Sequence, residues 1–191
     1  SIFVDGHFRP KEMWREAAGT EFNPGNFYYV GGNSKLFGAV LLRYRAEDFT
    51  EMQHLGGVSP AWPFPYEELE PWYGKAEQLF EARGRLGEDP SEPFHSTPYR
   101  HGPVPDEPAI ARVRAELQAQ GLHPATLPLG VDIDAWLAGG RTPWDGFPNT
   151  GSGKKDAETA SLAVALKDPN IELVTSAHVD TLEVGAAGRI E

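Results

Sequence analysis

Two adjacent glycines, Gly31 and Gly32, constrain this chain more than any other feature of its sequence. They sit in the stretch YYVGGNSKLFGAVLLRYRAEDF, Tyr28–Phe49. A glycine pair admits positive φ and lets backbone lie directly against a neighbouring group. Asn33 and Ser34 follow with side-chain donors and acceptors, a combination suited to an anionic or ring-edge acceptor. A short strand, Phe27–Val30, is expected to deliver the turn, and a short helix from Ser34 or Lys35 to about Leu42 to leave it. A bare Gly-Gly is also what a tight turn into a core helix requires, so the pair alone does not decide between a ligand and a fold role.

The clearest helix spans Tyr66–Arg83, where Leu69, Trp72, Tyr73, Ala76, Leu79, Phe80 and Arg83 form one stripe. Pro65, Glu67 and Glu68 suit its start and Gly84 its C′ position, while Pro71 predicts a kink or a separate first turn. Core packing is favoured over a substrate platform for its aromatic residues. A second helix is expected over Asp106–Gln120, with Asp106 as N-cap and Ile110, Val113 and Leu117 on one face. A third is expected over Asp156–Lys167, capped by Asp156, with Leu162, Ala163 and Leu166 inward. Leu122–Val131 is strand-like but interrupted by Pro124 and Pro128, which predicts an edge position. Ile171–Thr175 and His178–Val184 read as two further strands, and residues 1–9 as a hairpin around Asp5-Gly6. Residues 50–65 and Gly84–Pro105 read as loop and extended crossing. A helix followed by two strands suits an α/β core with an attached antiparallel piece.

Charge and motif arithmetic exclude several classes. The net charge of −11 opposes nucleic-acid or anionic-membrane partners. No apolar run approaches the roughly 18 residues of a membrane span. The absence of cysteine excludes disulfides and thiolate sites. Gly151-Ser152-Gly153-Lys154-Lys155 fails as a phosphate loop because Pro148 and Lys155 stand where Gly and Ser or Thr are needed. It fails as a dinucleotide turn at Asp156, and a mobile loop entering a helix is expected. The six histidines show no ligand spacing, and no G-x-S-x-G elbow is present, so neither a metal site nor a serine hydrolase is expected.

GGNSKLFGAVLLRYRAEDF resembles the Gly-Gly-x-Ser-x-x-Asn-Gly segment of glucose–methanol–choline (GMC) flavoprotein oxidoreductases. SPAWPFPYEELEPWYGKAEQLF, DGFPNTGSGKKDAETASLAVAL and NIELVTSAHVDTLEV extend the resemblance, in family order, over most of residues 28–184. Phe37 stands where many members have Asn, and the cysteines many carry before the Asp145–Pro148 sequence are absent. The resemblance implies an α/β, partial FAD/NAD(P)-binding fold of GMC type with attached antiparallel strands and cap helices. It divides the chain into 1–60 and 151–191 in the FAD-binding domain and 61–150 as a cap segment.

FAD is the implied cofactor, and a small-molecule alcohol or sugar the implied substrate, oxidised at CH–OH by hydride transfer to flavin. Gly31, Gly32, Asn33 and Ser34 would face phosphate or ribitol oxygens, and Phe37, Gly38 and Ala39 the flavin ring edge. Val179 would meet the adenine through its backbone. The family's N-terminal GxGxxG and C-terminal catalytic histidine have no counterpart in the chain, so no catalytic residue is assigned. The chain opens in strand pattern and closes just past a turn, so an internal piece of a longer protein, or a fragment surviving proteolysis, is expected, cytoplasmic and inactive by itself. A non-catalytic domain whose aromatic segments hold a sugar or a partner protein is the alternative.

Overall fold

A computed structural model describes residues 12–138 and 153–190. The expected hairpin over 1–9, the Asp145–Pro148 sequence and the Gly151-Ser152 pair lie outside them. Among the described residues the strands form two antiparallel ribbons. The first pairs β1 (Trp14–Arg15) with β2 (Glu21–Phe22). The second pairs β3 (Met52–His54) with β4 (Gly57–Ser59), inside the segment expected to be loop.

Helix α1 spans Tyr66–Leu79 and runs unbroken through Pro71. It stops one turn earlier than its apolar spacing predicts. Glu81 takes the left-handed conformation at φ 51. The Ala82 amide returns to the Glu77 carbonyl at 2.8 Å and the Glu81 amide to Gln78 at 3.3 Å. That is a Schellman closure built on a non-glycine residue. Gly84, expected to close the helix, instead lies beneath the Tyr99 ring, where a Cβ would come within 2.6 Å of a ring carbon.

The buried face of α1 is also not the expected stripe. Tyr66, Glu70, Gly74 and Glu77 face inward, while Trp72 and Leu79 are exposed. Two carboxylates occupy the inner face because Arg43 enters there from a segment far away in sequence. Its guanidinium donates to both Glu77 carboxylate oxygens at 2.7 Å, to Glu70 at 3.1 Å and to the Tyr66 hydroxyl at 2.8 Å. Burial works against the Arg43 charge, but these acceptors outweigh it and hold its pKa above the ordinary value.

Helix α2 (Pro108–Ala119) buries none of its residues, so Ile110 and Val113 face outward rather than into a core. Asp106 does not cap it. Asp106 instead pairs with Arg114 at 2.5 Å, and Arg114 also donates to the Pro124 carbonyl and the Thr126 hydroxyl. A short α3 covers Asp134–Leu137. The expected third helix forms as a π-helical turn, Ala157–Leu162, followed by α4 (Ala163–Ala165). Asp156 caps it as expected, accepting the Glu158 and Thr159 amides at 3.0 Å. Ala160 is its buried residue, and Leu166 is exposed.

The apolar centre is small: Ala39, Val131 and Ile133, with Phe37, Val104 and Leu129 packed against them. Leu129 is not at an edge. It bridges Val40 on one side and Arg83 on the other, and Val131 bridges Lys154. Residues 171–183 are irregular and largely exposed, and Val184 meets Ile190 around a turn at Gly185–Gly188.

Candidate functional site

Gly31 adopts φ 91 and Gly32 φ 56, so the pair makes the left-handed bend its sequence predicts. Gly32–Leu36 then forms a 3-10 turn in place of the longer helix expected up to Leu42. The reason lies at Lys154, 119 positions after Lys35. The buried Lys154 ammonium takes the carbonyls of Lys35 and Phe37, which a continuing α-helix would need as acceptors. The chain leaves the turn extended at Phe37, with φ −71 and ψ 154.

The two polar side chains of this bend are used by the chain itself. The Asn33 side chain accepts the Phe27 amide at 2.8 Å and donates to Asn26 at 3.3 Å. The Ser34 hydroxyl donates to the Gly31 carbonyl at 2.5 Å and accepts the Ala157 amide at 3.0 Å. Around Gly31 a Cβ would meet the Glu158 amide at 3.2 Å and Lys35 Cε at 3.3 Å. Gly31 therefore packs against the start of the π-helical turn, whereas Gly32 has open space.

An ionic knot holds the two segments together. Lys35, only 3% exposed, pairs with Asp156 at 3.1 Å and with Glu158. Burial alone would lower the Lys35 pKa, and the two carboxylates outweigh it and raise it. Lys154 is 2% exposed, so a residue expected to belong to a mobile loop is instead among the most deeply placed, beside the capping Asp156 at 1%.

Beyond the knot, Phe37, Gly38 and Ala39 form a strip with two different sides. One side is tied inward: the Phe37 carbonyl lies 3.4 Å from Lys154 Nζ, and the Ala39 carbonyl accepts the Gly130 amide at 2.8 Å. The Leu41 amide continues this grip on the Pro128 carbonyl at 2.9 Å. The other side is open at Gly38, where a Cβ would find nothing within 4 Å. Ala39 is wholly buried at φ 62, a conformation costing roughly 1–3 kcal/mol for a residue with a Cβ, sustained by the bonds around it.

Val179 is 72% exposed in the irregular 171–183 segment. Neighbouring His178 lies 3.3 Å from Asp180 and near enough to Glu12 to act on its charge. Glu12 also accepts the Tyr28 hydroxyl, which with the Trp14 indole holds its carboxyl below the usual range.

Two features escaped the sequence. The first is the knot of Lys35 with Asp156 and Glu158, together with the buried Lys154, whose one signal was three consecutive charges, Lys154-Lys155-Asp156, ahead of a helix. The second is an open groove of about 470 Å³ lined by Phe49, Trp62, Phe64, Tyr66, Thr50 and Glu67, among others. Its rings lie 5.7–6.2 Å apart, and Trp62 is 51% exposed. Among the described residues no helix is long and apolar enough to cross a membrane, and no cluster of three or more His, Asp or Glu could hold a metal.

The chain is similar to two curated oxidases. It is 29% identical over 171 residues to 6'''-hydroxyparomomycin C oxidase of Streptomyces lividus, covering 84% of this chain and 30% of that protein. It is 31% identical over 156 residues to paromamine 6'-oxidase of Streptomyces fradiae, covering 76% of this chain and 27% of that protein. The chain thus spans less than a third of the length of the relatives it matches. No protein-family model matches it.

Proposed function

We propose that this chain is part of an FAD-dependent oxidoreductase of the GMC type, acting on a CH–OH group of an alcohol or sugar. The observation that carries the reading is the two-sided strip Phe37–Ala39. Its carbonyls at 37 and 39 are bound inward, and Gly38 leaves the outer side bare for a flat ring edge to approach backbone. The residues fit such a group at Gly32, Phe37 and Gly38. They fit it less at Gly31, Asn33 and Ser34, which contact the chain's own atoms. Bound flavin would supply the hydride acceptor, and protein supplies placement.

The names of the two Streptomyces oxidases support oxidation of an aminated sugar hydroxyl as the reaction class. This chain's own part is to shape the strip and hold it still. Lys154 fixes the carbonyls at 35 and 37, Gly130 fixes the carbonyl at 39, and Arg43 anchors the segment that follows the strip to α1. No side chain here is assigned to proton abstraction.

The test compares the native-length protein that carries this sequence with the 191-residue chain alone. The native-length protein is expected to purify with a visible flavin band that paromamine bleaches without oxygen. The isolated chain is expected to hold FAD weakly and to turn nothing over. A colourless native-length protein that binds no added FAD overturns the reading.

The aromatic groove at Phe49, Trp62 and Phe64 favours a second reading, a non-catalytic domain that stacks a sugar ring. Quenching of Trp62 fluorescence by paromamine in a protein without flavin would select it.

A further inference from the structure

Resting on the flavin reading above, we propose that Lys154 is a positioning residue for the cofactor, its ammonium clamping the Lys35 and Phe37 carbonyls so that Gly38 is presented outward. The side chain is nearly sealed from solvent, at 2% exposure. Its Nζ donates to the Lys35 carbonyl, lies 3.4 Å from the Phe37 carbonyl and stands 5.8 Å from the centre of the Phe37 ring.

The backbone that delivers Lys154 is itself bound to the strip. Val131 bridges Lys154, the Lys155 amide donates to the Gly130 carbonyl at 2.9 Å, and the Gly130 amide holds the Ala39 carbonyl. Residues 130 and 154 therefore grip the strip at 39 and 37 respectively, and Gly38 lies between the two grips. A methionine of similar length would fill the space yet leave two carbonyls without that donor. The ammonium does more than fill. It fixes which way the peptide at 37–38 faces, and it sets a positive charge directly behind the surface where the ring edge would lie. Such a charge favours the more negative, reduced form of a flavin.

The clamp is tested in the native-length protein through K154R, K154Q and K154M, with FAD affinity and the midpoint potential of the bound flavin as readouts. K154Q and K154M are expected to bind FAD about tenfold or more weakly, the loss of one charge-assisted bond. At saturating FAD their potential is expected to move to more negative values. K154R is expected to restore most of the affinity and leave the potential near that of the unaltered protein. Unchanged affinity and potential in folded K154Q or K154M overturn the proposal. So does failure of both to fold, since Lys154 is then a fold residue alone. Absence of flavin from the unaltered protein sinks the flavoprotein reading instead, and is visible before any variant is made.

Discussion

Arg43 meets Glu77 through two bonds of 2.7 Å across 34 residues of sequence, and both side chains are almost wholly buried. Removing one partner leaves the other charged and buried, which costs about 3–5 kcal/mol. E77A should lower unfolding stability by that amount in urea titration of the native-length protein. R43K should recover little, because an ammonium cannot reproduce the paired geometry. A loss below about 1 kcal/mol would mean that the pair is not closed in solution.

His95 sits against this pair, with Glu77 at 3.8 Å, Glu92 at 3.2 Å and the Tyr99 ring edge-on at 5.4 Å. Both ring nitrogens are buried without a hydrogen bond in good orientation. Burial, then Arg43, lowers its pKa, and the neighbouring Glu77, Glu92 and Glu70 only partly offset this. A histidine whose folded pKa is depressed takes up a proton more readily when unfolded. Its stability contribution is therefore complete above its unfolded pKa of about 6.5 and falls as pH drops below that value. Thermal unfolding of the unaltered protein should lose more between pH 7.5 and 5.5 than that of H95F. Parallel curves would refute the assignment.

Gly31 and Gly38 should answer alanine in opposite ways. At Gly31 the methyl meets Glu158 and Lys35 at φ 91, and a loss of about 1–3 kcal/mol is expected. At Gly38 the methyl meets nothing, so stability should stay within about 0.5 kcal/mol. FAD affinity of the native-length G38A protein should nevertheless fall clearly. Equilibrium unfolding and FAD titration on the two variants separate a fold glycine from a contact glycine.

Asp156 combines a helix cap with half of the Lys35 pairing. D156A should cost about 2–4 kcal/mol, more than a cap alone. D156N keeps an oxygen for the two amides and should cost less. Equal losses in the two variants would show that the cap bonds contribute nothing separable.

Local rules carried the sequence reading where the physics was local. The Asp156 cap, the start of α1 at Tyr66 and the left-handed bend at 31–32 each follow from a few neighbouring residues. The errors share a different cause. The inner face of α1 could not be read from apolar spacing, because Arg43 supplies a charge that makes Glu70 and Glu77 the buried positions. The helix expected up to Leu42 fails because Lys154 takes its acceptors. Glu81 closes α1 in a conformation that glycine would ordinarily be expected to supply, which shifted the predicted end to Gly84. The strip at 37–39 was named from resemblance, and its open side at Gly38 is visible only in three dimensions.

The knot between Lys35 and residues 154–158 also has a temporal meaning. A ribosome has to release well over a hundred further residues before the bend at position 31 meets the groups that shape it. Until then, closing so long a loop costs entropy with no local contact to offset it. Synthesis halted before Lys154 should therefore leave the bend unformed, and a protease offered nascent chains of increasing length should cut near Leu36 until that lysine has emerged.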